Sequence, residues 1–219
     1  MPSSIRAVAF LFLGPMLAAW LAVALPAQAE ESAPAVLDPV SQETLVAIER
    51  YLNEIQTLKA EFVQLGPDGE RSEGVIYMRR PGRLRVEYAP PVPVLIVSDG
   101  LWIHYHDKEL GQINDWFIDD TPLGALTTEV VRFGEDLTVT GSAQRDGLVA
   151  IALVQGDDPG AGSLTLVFNA DPMRLIQWRV TDAQGLVTTV VLRSLETNIR
   201  LSPALFVFDD PRRKPTNRR

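Results

Sequence analysis

Few polar side chains in this sequence are placed to act on a ligand. His104 and His106 lie two apart in LWIHYH, and an extended chain would turn both to one side, as two metal ligands need. No third ligand is indicated, and a solvated strand face accommodates the same pair. Asp119-Asp120, Asp157-Asp158 and Asp209-Asp210 offer paired carboxylates for acid–base work. Each pair stands in an apparent turn, where short acidic side chains satisfy the backbone. The serine elbow G-x-S-x-G, the glycine-rich phosphate loops and the zinc motif H-E-x-x-H are all missing. These residues support no enzyme, and no metal or other cofactor is expected.

The third candidate is MRRPGRLRVEY, Met78 to Tyr88, where four arginines bracket a Pro-Gly turn. After the turn the pattern alternates, with Leu84, Val86 and Tyr88 on one side and Arg83, Arg85 and Glu87 on the other. Before it, Ile76, Met78 and Arg80 share a face, so a charge ends an otherwise apolar row. An anion-binding patch, an ordinary hairpin capped in solvent and a gate beside an apolar interior all fit these residues.

The elements around them are mostly strands. After Lys59 come short runs of strand-forming residues separated by turns: KAEFVQL, RSEGVIYMR, RLRVEY, VLIVS, LWIHYH, GQINDWFI, DLTVTGSAQ, LVAIALVQ, SLTLVFNA, RLIQWRVTD, LVTTVVLRSLE and finally ALFVFDD. Asp99-Gly100 and Asp146-Gly147 are hairpin signals. Such spacing predicts one large, strongly curved antiparallel sheet. One helix precedes it: Asp38 is a candidate N-cap with Pro39 at the first helical position. Leu45, Ile48, Leu52, Ile55 and Leu58 form its apolar stripe. Thr121-Pro122 opens one or two short helices within residues 119–133, with Leu123, Leu126 and Val130 on one face. Both helical regions must pack on the sheet. The apolar strand surface is large, and it implies either a sheet buried on both faces or a concave face left partly unfilled.

The totals narrow the class further. The chain has 219 residues, 46% of them hydrophobic and 22% charged, enough for one domain with a sizeable core. A net charge of −8 argues against a nucleic-acid partner. There is no cysteine, so no acylated lipoprotein anchor, disulfide or thiolate metal site can form. Residues 1–29 carry Arg6, an apolar run from Ala7 to Leu25 and the small-residue site Ala27-Gln28-Ala29. They read as a cleavable secretory signal peptide. An uncleaved anchor is the competing reading, since the run of about 19 residues could span a bilayer. Residues 30–40 are a flexible lead-in, and residues 212–219 are a basic tail containing Arg212, Arg213, Lys214, Arg218 and Arg219. That tail is a solvated extension or a contact for an anionic membrane or acidic partner.

An amphipathic helix followed by LKAEFVQ, a strand from Gly74 to Pro81, GRLRVEY, VSDG with LWIHY behind it, the TPL helix start and the closing FVFDDP occur in one order. In that order they resemble the LolA family of periplasmic outer-membrane lipoprotein carriers. The resemblance spans residues 40–211 and implies a single carrier domain, 41–211, exported to the periplasm. Its fold would be α+β and mainly β, an open, incomplete antiparallel β-barrel covered by a short helical lid and the N-terminal amphipathic helix. It implies a chaperone that holds the acyl chains of lipoproteins and carries them from the inner to the outer membrane. By the same likeness Arg80 is the latch that holds the lid closed, and Ile76, Met78, Leu84, Val86, Leu123 and Leu126 line the acyl-chain cavity. Val86 departs from the family, where an aromatic residue is frequent. The implied partners are acylated lipoproteins, an inner-membrane lipoprotein-releasing transporter, and an outer-membrane acceptor or the outer membrane itself; a monomer is expected. An envelope-stress sensor or a small-lipid-binding module of the same fold is the alternative.

Overall fold

The structure, a computed structural model, describes residues 39–121, 124–135, 137–156 and 162–212. The leader 1–29, the lead-in through Asp38, Pro122, Leu123, the Asp157-Asp158 pair and the tail beyond Arg212 lie outside the described residues.

Helix α1 runs from Gln42 to Glu54, later in the chain than the Asp38-Pro39 signal suggested. Ser41 is the N-cap, its Oγ accepting from the Thr44 amide. Pro39 and Val40 approach it as non-helical chain, with the Val40 amide donating to Ser142 Oγ. The helix also stops before the end of its predicted stripe. Ile55 is extended at φ −84°, ψ 104°, and Leu58 already belongs to a strand. Both still face the core, so the apolar period outlasts the helix that began it.

The strands are β1 (Thr57–Leu65), β2 (Arg71–Arg79), β3 (Arg83–Tyr88), β4 (Val94–Asp99), β5 (Trp102–Asp107), β6 (Gln112–Phe117), β7 (Leu137–Arg145), β8 (Leu148–Gln155), β9 (Ser163–Ala170), β10 (Met173–Thr181) and β11 (Val187–Thr197). They form one antiparallel sheet in the order β6-β5-β4-β3-β2-β1-β11-β10-β9-β8-β7. The long β1–β11 pairing joins the two halves, and β6 and β7 remain as edges. The fold is therefore mainly β, and the barrel is not closed. Turn chemistry sets the hairpins. Asp99 Oδ1 accepts from the Leu101 and Trp102 amides, and Asp146 and Gly147 both take positive φ between β7 and β8.

Two further predicted elements differ. ALFVFDD is not a strand: Ser202 caps a 3-10 helix with Pro203 at its start, Pro203–Phe206, and the chain then runs on without regular structure. β11 is already paired on both sides, by β1 and β10. The closing segment instead crosses the outer face of β3 and β5, where Arg85 donates to the Leu205 carbonyl and Phe208 stacks on His104 at 4.6 Å. Between β6 and β7, a 3-10 turn, Ile118–Asp120, leads to a short helix α2, Gly124–Thr127. Val130 lies beyond α2 and is exposed, so it does not share a helical face with Leu126 as predicted; Val131 is buried instead.

Helix α1 divides the interior. Tyr51 meets Phe168 edge-on at 5.9 Å and its hydroxyl accepts from the Leu175 amide. Ile48 packs into the same core as Val149, Ile151, Leu153, Leu164 and Leu166. That half of the concave face is filled. In the last turn of α1, Asn53 fastens the segment after α2: its Nδ2 donates to the Val131 carbonyl at 2.9 Å and its Oδ1 accepts from the Val131 amide at 2.8 Å. Val131 is 1% exposed, so both backbone groups lose their partner in Asn53→Ala. Each such loss costs ~1–3 kcal/mol. The variant should unfold at least about 4 °C below wild type in a thermal melt; an unchanged midpoint would show that the pair carries no weight.

Candidate functional site

The other half of the concave face is hollow. Its wall is built by alternation: Leu58, Phe62 and Gln64 on β1, Ile76 and Met78 on β2, Leu84, Val86 and Tyr88 on β3, Ile96 on β4. Trp178 and Val180 on β10 and Thr188 and Val190 on β11 close the opposite wall, and Leu52 and Ile55 enter from the end of α1. β4 and β10 are far apart in the sheet order, so the sheet must bend strongly to bring Ile96 and Trp178 to one space. The cavity is about 360 Å³, at the lower end of the ~300–1,000 Å³ range of ligand pockets. Thr121, Leu126 and Thr127 cover it from the lid.

Five of the six side chains expected in the wall are there: Ile76, Met78, Leu84, Val86 and Leu126. Leu123 lies outside the described residues. Val86 sits between Ile76 and Ile96 in the strand register, so the space an aromatic ring would take is bounded by aliphatic groups. The run Val94 to Val97 resolves into Ile96 facing the cavity and Val97 buried on the other face. Several wall residues were not foreseen, among them Trp178 and Leu175. A register shift between Leu175 and Gln177 puts both inward at a spacing of three, which simple alternation misses.

Arg80 closes one end. It is 7% exposed, at the end of the inward row Ile76, Met78. Its Nη1 donates to the Thr128 carbonyl at 2.6 Å, directly beyond α2. Its Nε is buried without a partner among the described residues. Burial lowers its pKa to about 10, so the guanidinium is charged at neutral pH. The lid gains a second tether from the same hairpin, the Gly82 amide donating to the Thr127 carbonyl at 2.8 Å. Gly82 has φ 68° and lies against the Gly100 backbone, which only glycine allows. A solvent-capped hairpin would leave Arg80 wet, and it is not.

Tyr88 and Gln64 stand at the other end of the β1–β3 wall, the Tyr88 hydroxyl donating to Gln64 Oε1 at 2.8 Å. Burial pushes the Tyr88 phenol up to about 12. In the unfolded chain it ionises near ~10, so the unfolded state releases its proton first. The stability carried by the neutral phenol is complete below pH ~10 and is lost as pH rises towards 12. Tyr88→Phe should therefore lose less thermal stability than wild type across that window; parallel losses would mean the phenol is not buried.

The other sequence candidates lie elsewhere. His104 Nδ1 bonds Asp115 Oδ1 at 2.7 Å on the outer face, where Arg212 also reaches Asp115 and Asp210. Among the described residues no three histidine or acidic side chains converge as a metal site would require. What the interior offers is an apolar trough with a hydrogen-bonded cover, suited to holding a flexible apolar ligand out of water.

The comparisons give that class its family. The family model described as outer membrane lipoprotein carrier protein LolA matches residues 53–209, and the chain belongs to this family. Among its relatives is an outer-membrane lipoprotein carrier protein of Methylococcus capsulatus. It is 27% identical over 173 residues, covering 75% of this chain and 82% of the relative. The corresponding protein of Dechloromonas aromatica is 30% identical over 171 residues, covering 74% and 81%. Among solved structures, a LolA superfamily protein from Nitrosomonas europaea aligns with a TM-score of 0.42 at 12% identity, covering 75% of this chain and 97% of its own.

Proposed function

We propose that the protein is a periplasmic chaperone that takes the acyl chains of lipoproteins into the trough and carries them from the inner to the outer membrane. The observation that carries this reading is the hollow apolar half of the barrel beneath a tethered lid. Moving an acyl chain out of water is worth ~0.8 kcal/mol per methylene, about 12 kcal/mol for a sixteen-carbon chain. Release into water is therefore barred, and transfer into a trough of similar polarity is not. The closed space is small for a multiply acylated cargo, so loading must lift α2 and break the Arg80–Thr128 bond.

Arg80 then works as a latch. Its bond to the lid stabilises the empty, closed state, which competes with the loaded one and lets cargo leave. Residues 1–29 act as a cleaved signal peptide, and 41–211 as one carrier domain. Cargo comes from an inner-membrane lipoprotein-releasing transporter and goes to an outer-membrane acceptor or to that membrane directly, with the carrier acting as a monomer. The role needs no bond-breaking group and no cofactor. Binding of an acylated lipoprotein and of its unacylated form, compared side by side, tests the reading. Only the acylated form should bind; equal binding of both would refute it.

A further inference from the structure

We propose that Gln64 and Tyr88 are the end stop of the acyl channel and set the longest chain it holds, an inference that rests on the carrier reading above. The inward row of β2 runs from Arg80 back through Met78 and Ile76 to Gly74, a length of roughly 20 Å. Arg80 and the lid close one end. At the other end Gly74 has no side chain, and it pairs with Phe62 on β1 and Tyr88 on β3. A Cβ there would collide with the Glu87 carbonyl and stand 2.8 Å from the Phe62 ring. The vacancy lets the Phe62 and Tyr88 rings meet edge-on above β2, 5.3 Å between centroids.

Gln64 continues the inward row of β1 past Phe62, and its 2.8 Å bond from the Tyr88 hydroxyl completes a bar from β3 to β1. The two sides of this bar differ in chemistry. On one side is the apolar trough. On the other is a cavity of about 640 Å³, whose lining includes Asp68, Glu70, Arg71 and Glu73. Gln64 and Tyr88 line both spaces. A methylene on the trough side of the bar gains from burial; one pushed past it would face charged groups and water, and would gain nothing.

The test uses saturated fatty acids from dodecanoic to eicosanoic acid, displacing a fluorescent naphthalene sulfonate from the full chain. Wild-type affinity should rise about fourfold per methylene and then flatten at a defined length. In Tyr88→Ala that break should move at least two methylenes longer, so that the longest acids bind more than about tenfold tighter than to wild type. Gln64→Ala changes a half-buried residue and should move the break by about one methylene. A break unmoved in both variants overturns the end stop and leaves the carrier reading standing. So does a wild-type affinity that climbs without any break. Should Tyr88→Ala not fold, an unmoved break in Gln64→Ala is sufficient to overturn it. Failure of wild type to bind any of the acids would remove the carrier reading itself, and this inference with it.

Discussion

Arg80→Leu should load cargo normally and fail to deliver it. The substitution removes one charge-assisted hydrogen bond, between Nη1 and the Thr128 carbonyl, of a kind worth ~1.5–3 kcal/mol. In the proposed transport cycle that bond is made in the closed, empty state and broken on loading, so its loss would favour the loaded state by the same amount. Cargo dissociation or transfer should slow about 10- to 150-fold. Folding stability should change little, because the desolvation cost of a buried guanidinium with an unpartnered Nε is removed along with its hydrogen bond when a shorter apolar side chain takes its place. The two effects separate latch from scaffold. Transfer of a labelled lipoprotein to outer-membrane vesicles, read beside a thermal melt, measures both. A variant that melts as wild type and delivers as wild type would exclude Arg80 from the mechanism.

Filling the trough should be as damaging as unlatching it, at the opposite step. Ile76 is 3% exposed and lies between Ala60 and Val86 in the strand register, with its side chain in the cavity wall. Tryptophan there would project its indole into the empty space and exclude several methylenes of cargo. At ~0.8 kcal/mol each, three methylenes amount to a loss of about fiftyfold or more in affinity. The cost in folding stability should be no more than ~1–3 kcal/mol, since the added ring enters a void. Val191→Trp is the control. Val191 is 40% exposed on the outer face of β11 and should tolerate the ring with loading intact. Equal loading by the two variants would place the cargo somewhere other than the trough.

Much of this was written locally in the chain. RSEGVIYMR and RLRVEY are β2 and β3 residue for residue, because the Pro-Gly pair between them can only turn. The inward set of β3 follows from plain alternation. Where the hollow lies could not be read, because it depends on a tertiary fact. Helix α1 ends at Glu54 and fills the core beside β8 and β9, so the apolar excess is buried in one half of the barrel and lines a cavity in the other. Leu175 and Trp178 escaped notice through an irregular register, and the Gln64–Tyr88 bar because its partners are 24 residues apart on strands that do not touch. The closing ALFVFDD looked like a strand because its composition suits one, but β11 before it is already paired on both sides. The Asp38-Pro39 start was displaced by Ser41, whose hydroxyl has a reachable amide at Thr44.

The most direct measurement of the central claim is photocrosslinking from inside the barrel. A benzophenone side chain at Thr188, on the inward row of β11, should couple to the acyl chains of a bound lipoprotein. One at Val191, on the outward row, should not. Coupling at Thr188 that disappears with an unacylated cargo is the predicted result. Acyl coupling at Val191 with none at Thr188 would contradict it.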